Sequence, residues 1–337
     1  MPTTGNGFAL MMQIKAIRPT DLMNKPRLLL PMILFSLHFL CTTEIRAQER
    51  LTKGRNQTIK VDVDLVLVNA TVSDAKGRMV TGLRQENFRL WEDKVEQKVE
   101  YFSSEDSPMS IGLIFDATGS MEDKISRARD AAVSFLKTGN PDDEFFLVTF
   151  SQSPRLADGF TTDISRLQSH MIFTPAKGLT PLYDAVYLGL ETMKSARNKR
   201  KALLLITDGE DNHSRYSFWD TKEFVKEQDV QIFIIGIVNP SGELGSDPGG
   251  AAIIEELAQI SGGQAFFPDS ADELEDICNK IALELRDQYV LGYHSTNETK
   301  DGKWRKIRVK INQPKGLPNL SVHSKSGYYA ETLDIKP

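Results

Sequence analysis

From residue 109 onward, short uninterrupted apolar runs alternate with stretches whose apolar residues recur every three or four positions. The runs at 111–115, 145–150, 202–206 and 230–237 read as buried strands. Between them, 121–137 places Ile125, Ala128, Ala132, Phe135 and Leu136 on one stripe, and 182–196 does the same with Leu182, Val186, Leu190 and Met193. Both periods predict helices, as do weaker ones at 164–171, 217–228, 253–260 and 271–285, with a short strand at 265–267. Continuously apolar strands must be covered on both faces. The pattern therefore predicts a doubly wound, mostly parallel α/β sheet of Rossmann-like kind.

On either side of this region the period falls to two. Residues 59–68 begin as apolar/polar alternation, 74–77 (Asp-Ala-Lys-Gly) form a turn, and 88–93 and 95–102 read as further strands. The tail repeats the pattern at 288–293, 304–311 and 320–323, and the alternating Lys and Arg of 305–310 read as a solvated strand face. Each group is too short to bury a core alone. The expected organisation is a linker at 48–57, a β segment at 58–107, an α/β domain at 108–287 and a β segment at 288–337. The two β segments are expected to join as one small β-sandwich-like domain.

The first 47 residues change the picture. Lys25 and Arg27 precede an apolar run at 28–41, and Ile45-Arg46-Ala47 offers a cleavage site before Gln48. This is the layout of a secretory signal, with Met23 as an alternative start. The run is short for a membrane span and is interrupted by Pro31 and His38, so no stable span is expected after cleavage. Phe39-Leu40 before Cys41 lack the small residues of a lipoprotein signal. The chain is expected to be exported, to a periplasmic, cell-surface or secreted location.

Composition fits a folded protein, with 40% hydrophobic and 26% charged residues in 337. Cleavage would remove five basic and two acidic side chains, moving the formal charge from −5 to −8. That balance argues against nucleic-acid or anionic-membrane binding. Only Cys278 of the two cysteines would survive, so no intramolecular disulfide is expected, and its apolar neighbours place it in the core.

Candidate chemistry sits on three loops. Asp116-Ala117-Thr118-Gly119-Ser120 leaves the first apolar strand, Gly178-Leu179-Thr180-Pro181 precedes a helix, and Thr207-Asp208-Gly209 leaves the strand at 202–206. Together they offer Asp116, Thr118, Ser120, Thr180 and Asp208, an all-oxygen set for a hard divalent cation. Neutral hydroxyls do not cancel the charge of an ion, so it would remain able to accept a carboxylate from another molecule. Taken singly, the loops have plainer readings: Ser120 as a helix cap with Asp123 in a capping box, Thr180-Pro181 as a helix start, and Thr207-Asp208-Gly209 as a turn.

The order and content of these loops resemble the von Willebrand factor type A family over residues 108 to 290. Its metal-ion-dependent adhesion site reads Asp-x-Ser-x-Ser, then Thr, then Asp; this chain has Thr118 in place of the first Ser, keeping the hydroxyl. The likeness extends to exported bacterial members with β segments flanking the domain. It implies that the hydroxyls of Thr118, Ser120 and Thr180 touch the ion while Asp116 and Asp208 often act through water. The implied partner is a protein presenting an acidic residue or a terminal carboxylate, as in adhesion.

Mg²⁺ suits few direct protein ligands plus water, with Mn²⁺ or Ca²⁺ as alternatives. Glu210, Asp211 and His213 form a candidate partner-binding rim. A structural assembly factor that binds without metal is one alternative. A hydrolase using Glu210 or His213 as base is another. The chain has no His-Glu-x-x-His, Cys-x-x-Cys or Gly-x-Ser-x-Gly motif, so it is read as a binding protein and not an enzyme.

Overall fold

The structure is a computed structural model that describes residues 65–209, 211–237, 250–317 and 319–332. The chain divides after Ile59, and every described residue lies in the unit that begins at Lys60. The expected signal (1–47) and linker (48–57), and the start of the first strand, lie outside the described residues.

In chain order the first elements are β1 (Leu65–Ser73), β2 (Phe88–Glu92), β3 (Val95–Gln97) and β4 (Tyr101–Ser103). The α/β region follows: β5 (Met109–Asp116), α1 (Ile125–Thr138), β6 (Glu144–Phe150), β7 (Pro154–Thr161), α2 (Ile164–Ile172), α3 (Leu182–Met193), β8 (Arg200–Thr207), α4 (Phe218–Glu227), β9 (Gln231–Gly236), α5 (Gly250–Ser261), β10 (Ala265–Phe266) and α6 (Leu274–Arg286). The tail supplies β11 (Tyr289–His294), β12 (Trp304–Ile311), β13 (Ser321–Ser324) and β14 (Gly327–Tyr329).

The central sheet has the order β10-β9-β8-β5-β6-β7 and is parallel except for edge strand β7. Alternate residues of each strand enter opposite cores. Leu113, Phe115, Leu204 and Phe233 meet α1, α2 and α6, while Ile114, Phe146, Leu203 and Ile234 meet α3, α4 and α5. Chain order reverses at β5, whose neighbours are β6 on one side and β8 on the other. In sheets of this kind ligands bind at such a reversal, here past the carboxyl ends of β5 and β8.

Gly112 in β5 is required by close packing. A Cβ there would stand 2.2 Å from Cζ of Phe146 and 2.5 Å from Cδ2 of Leu203. Gly112→Ala is expected to cost about 3 kcal/mol in urea denaturation, because the fully buried Phe146 ring has nowhere to go. Phe146→Leu in the same chain should recover part of that loss. Strictly additive penalties would contradict the packing account.

The terminal strands form two antiparallel four-stranded sheets, β13-β1-β11-β4 and β14-β12-β2-β3. Val68, Ala70, Leu90, Tyr289, Leu291 and Ile307 share the core between them. The expected single strand at 95–102 is two: β3 pairs with β2 in one sheet and β4 with β11 in the other. Arg305 also departs from the solvated-face reading. It points inward with Ile307 and Val309, and its guanidinium reaches Thr299 O at 2.8 Å and Asp301 at 2.9 Å.

The sandwich meets the α/β region at the amino ends of the parallel strands. Arg200, at the start of β8, donates to the Leu285 carbonyl and, at 2.9 Å, to that of Ser107. Gln288 donates to Gln231 at 2.8 Å, and Lys325 pairs with Asp229 at 2.8 Å. Glu284 of α6 is buried in this seam, bonded by Thr71 of β1, with Oε2 unpartnered. Burial pushes its carboxyl up to about 7. Cys278 is fully buried on the same helix, its thiol pushed up to about 12 by burial. Among the described residues no helix is long and apolar enough to cross a membrane.

Candidate metal centre

Asp116 is the last residue of β5 and is fully buried. Its Oδ1 accepts the Thr118 amide at 2.8 Å, closing an Asx turn, and its Oδ2 accepts the Thr207 hydroxyl at 2.5 Å. The carboxylate thus ties the end of β5 to the end of β8. Burial raises its pKa to about 6, the nearby charge of Asp208 adds to the rise, and the bonds from Thr207 and Thr118 oppose it.

The turn after Asp116 is pinned to its surroundings. Ala117 N donates to Phe150 O at 2.8 Å, and Lys177 N donates to Ala117 O at 2.8 Å. Gly119 N reaches Gly178 O at 3.4 Å, drawing the loop before Thr180 against the first loop. The helix expected from Met121 begins instead at Ile125, after a 3-10 turn at Gly119–Met121. The reason lies at Ser120. Its hydroxyl makes no cap and donates to Asp208 Oδ1 at 2.7 Å, so the capping-box reading with Asp123 fails.

Thr118 Oγ1 lies 3.1 Å from Ser120 Oγ. Asp116, Thr118, Ser120 and Asp208 therefore form one connected set of oxygens from two loops. Thr180 is held beside it: its amide donates to Asn212 Oδ1 at 2.8 Å, and Asn212 N returns a bond to Thr180 O at 3.0 Å. A Cβ on Gly209 would stand 3.4 Å from the Thr180 hydroxyl, which therefore abuts the turn carrying Asp208.

The set fits a small hard cation. With metal–oxygen distances of about 2.1 Å, adjacent corners of an octahedron lie about 3.0 Å apart. The observed separations of 3.1 Å and 2.7 Å bracket that spacing. Among the described residues no three His, Cys, Asp or Glu side chains are grouped to hold a metal. Any cation here would depend on the hydroxyls, with the carboxylates of Asp116 and Asp208 as the charged groups of the set.

The rim residues do not act as a group. Asp211 turns inward, accepting from the Ser214 hydroxyl, from Ser214 N at 3.2 Å and from Tyr183 N at 3.2 Å. His213 is exposed, and Glu210 lies outside the described residues. Three participants were not among the candidates read from the sequence: Thr207, Asn212 and Lys124. Thr207 stands in the motif itself, but neither Asn212 nor Lys124 carries a local signal.

Residues 111–210 match the family model described as von Willebrand factor type A domain. Over these residues the chain is similar to that domain family. Inter-alpha-trypsin inhibitor heavy chain H4 of Bos taurus is 24% identical over 220 residues, 58% of this chain. The chain spans 23% of that relative's length. Among solved structures, BatB from Bacteroides thetaiotaomicron shares 16% identity over 52% of this chain and 98% of its own, with a TM-score of 0.43. The von Willebrand factor domain of the type V pili tip protein Mfa5 from Porphyromonas gingivalis shares 12% over 53% of this chain and 96% of its own, at 0.43. A type A protein from Catenulispora acidiphila shares 11% over 81% of this chain and 74% of its own, at 0.46.

Proposed function

We propose that this chain is an exported protein-interaction module whose type A domain holds a divalent cation and uses it to take a carboxylate from a partner protein. The observation that carries the reading is the convergence of Thr118, Ser120 and Asp208 oxygens within 2.7–3.1 Å past the carboxyl ends of β5 and β8, where the strand order reverses. Thr118, Ser120 and Thr180 would supply neutral ligands and Asp208 a charged one, with Mg²⁺ as the best match and Mn²⁺ or Ca²⁺ able to replace it. Asp116 has both oxygens engaged by the chain and serves to orient Thr118 and the end of β8. When bound, the cation supplies an electrophilic centre for a partner's Asp, Glu or terminal carboxylate. The rest of the chain fixes that centre: the backbone bonds from Ala117, Lys177 and Gly119 hold the first loop to its neighbours.

A binding role fits the site better than hydrolysis. Asp211 is committed to Ser214 and Tyr183, leaving His213 as the sole described rim candidate for a base. The test is isothermal titration of Mg²⁺ into the full chain beside Ser120→Ala. Loss of the hydroxyl between Thr118 and Asp208 is expected to weaken Mg²⁺ binding about tenfold or more. Equal affinities would remove Ser120 from the site and overturn the reading.

A further inference from the structure

The Lys124 ammonium lies 2.6 Å from Asp208 Oδ2, and the Asp208 side chain is only 1% exposed. Asp208 therefore has both oxygens committed, one to the Ser120 hydroxyl and one to a cation that belongs to the chain itself. Nothing about α1 calls for a lysine here. Lys124 is the residue at the helix N-cap, its side chain makes no cap bond, and a positive charge at a helix N-terminus is opposed by the helix dipole. The contact that repays this placement is with Asp208.

We propose that Lys124 is a tethered cation that competes with the divalent ion for Asp208. This inference rests on the metal-binding reading above. In the metal-free chain the ammonium neutralises a carboxylate that burial would otherwise leave uncompensated. A divalent ion seated between Ser120 and Asp208 would repel the ammonium at short range and take over its partner. Lys124 is able to yield, because it is 28% exposed and its flexible four-carbon stem reaches water from the start of α1. The chain thus sets its own threshold for metal: the site fills only at a free-ion concentration sufficient to displace the lysine. Partner binding, which needs the ion, would follow the same threshold.

The test compares the full chain with Lys124→Met, which keeps the stem and removes the charge. Titration of Mg²⁺ alone is expected to show at least tenfold tighter binding to the variant. Without metal, the variant should melt at a lower temperature than the parent, and saturating Mg²⁺ should close the gap. Equal or weaker affinity in Lys124→Met would overturn the competition while leaving the metal site standing. Absence of binding in both chains would overturn the metal-binding reading and this inference with it. A second measurement needs no variant: the ¹⁵Nζ signal of Lys124 in the parent should be protected from exchange without metal and become exchange-broadened on adding Mg²⁺. An Nζ signal unchanged by a saturating, bound ion would equally overturn the proposal.

Discussion

Asp116→Ala is expected to give a folded chain that no longer binds Mg²⁺. The carboxylate organises the site from below, joining Thr118 N to the Thr207 hydroxyl across the ends of β5 and β8. Without it, nothing fixes the orientation of Thr118 relative to Asp208. The fold should survive, because the loss is partly offset. Thr207 Oγ1 keeps its contacts with Gly209, at 3.2 Å to both N and O, so it is not stranded. The Thr118 amide is left without its acceptor, at a cost of about 1–3 kcal/mol. Against that, a buried carboxylate with its pKa pushed up to about 6 disappears, together with its repulsion of Asp208. The balance should stay within about 2 kcal/mol in urea denaturation, and calorimetry should detect no Mg²⁺ binding. Parent-like affinity would place the ion elsewhere.

Glu284→Gln is expected to flatten the dependence of stability on pH. The carboxyl of Glu284 has its pKa raised from 4.5 to about 7 by burial in the seam between α6 and β1, with Lys280 and the Thr71 hydroxyl opposing the shift. Below 4.5 it is protonated in both folded and unfolded chains, and the neutral form fits the seam. Between 4.5 and 7 the unfolded chain gives up the proton while the folded chain retains it. The stabilisation present at low pH is therefore lost as pH rises through about 7, amounting to on the order of 3 kcal/mol.

Two other groups shape the same window. His323, held below its ordinary value by burial and by Lys280, contributes the opposite slope, since its unfolded form binds more protons. Asp116, raised to about 6, contributes in the same sense as Glu284. Both cancel in the difference between parent and variant at each pH. That difference should shift in favour of Glu284→Gln as pH rises from 4.5 to 7. A constant offset would show that Glu284 ionises normally in the folded chain.

Elements with a strong single period were legible from the residues. The run 111–115 lies within β5, and the stripe at Ile125, Ala128, Ala132, Phe135 and Leu136 lies on α1. Legibility failed where a side chain serves a distant partner instead of its own element. Ser120, a metal-site candidate whose plainer reading is a cap, bonds Asp208, 88 residues away, and the helix starts later than its period predicted. Strand β7 was missed: its Leu156 is exposed and its register with β6 is broken by bulges, leaving little alternation to read. The stretch 95–102 crosses from one sheet to the other, a turn that period-two reading does not register. At the site, the oxygen-bearing motif residues could be named in advance, whereas Lys124 could not, since a lysine four residues past Ser120 reads as an ordinary helix residue until Asp208 is placed opposite it.

The most direct test of carboxylate recruitment by a bound cation is water-proton relaxation with Mn²⁺ and the full chain. A bound Mn²⁺ that keeps water in its shell should enhance relaxation in the parent and not in Asp116→Ala. Adding a short peptide with one Asp side chain should displace that water and reduce the enhancement, while the matching Asn peptide should not. If the parent shows no enhancement, or if the Asp and Asn peptides act alike, the chain does not recruit carboxylates through a metal.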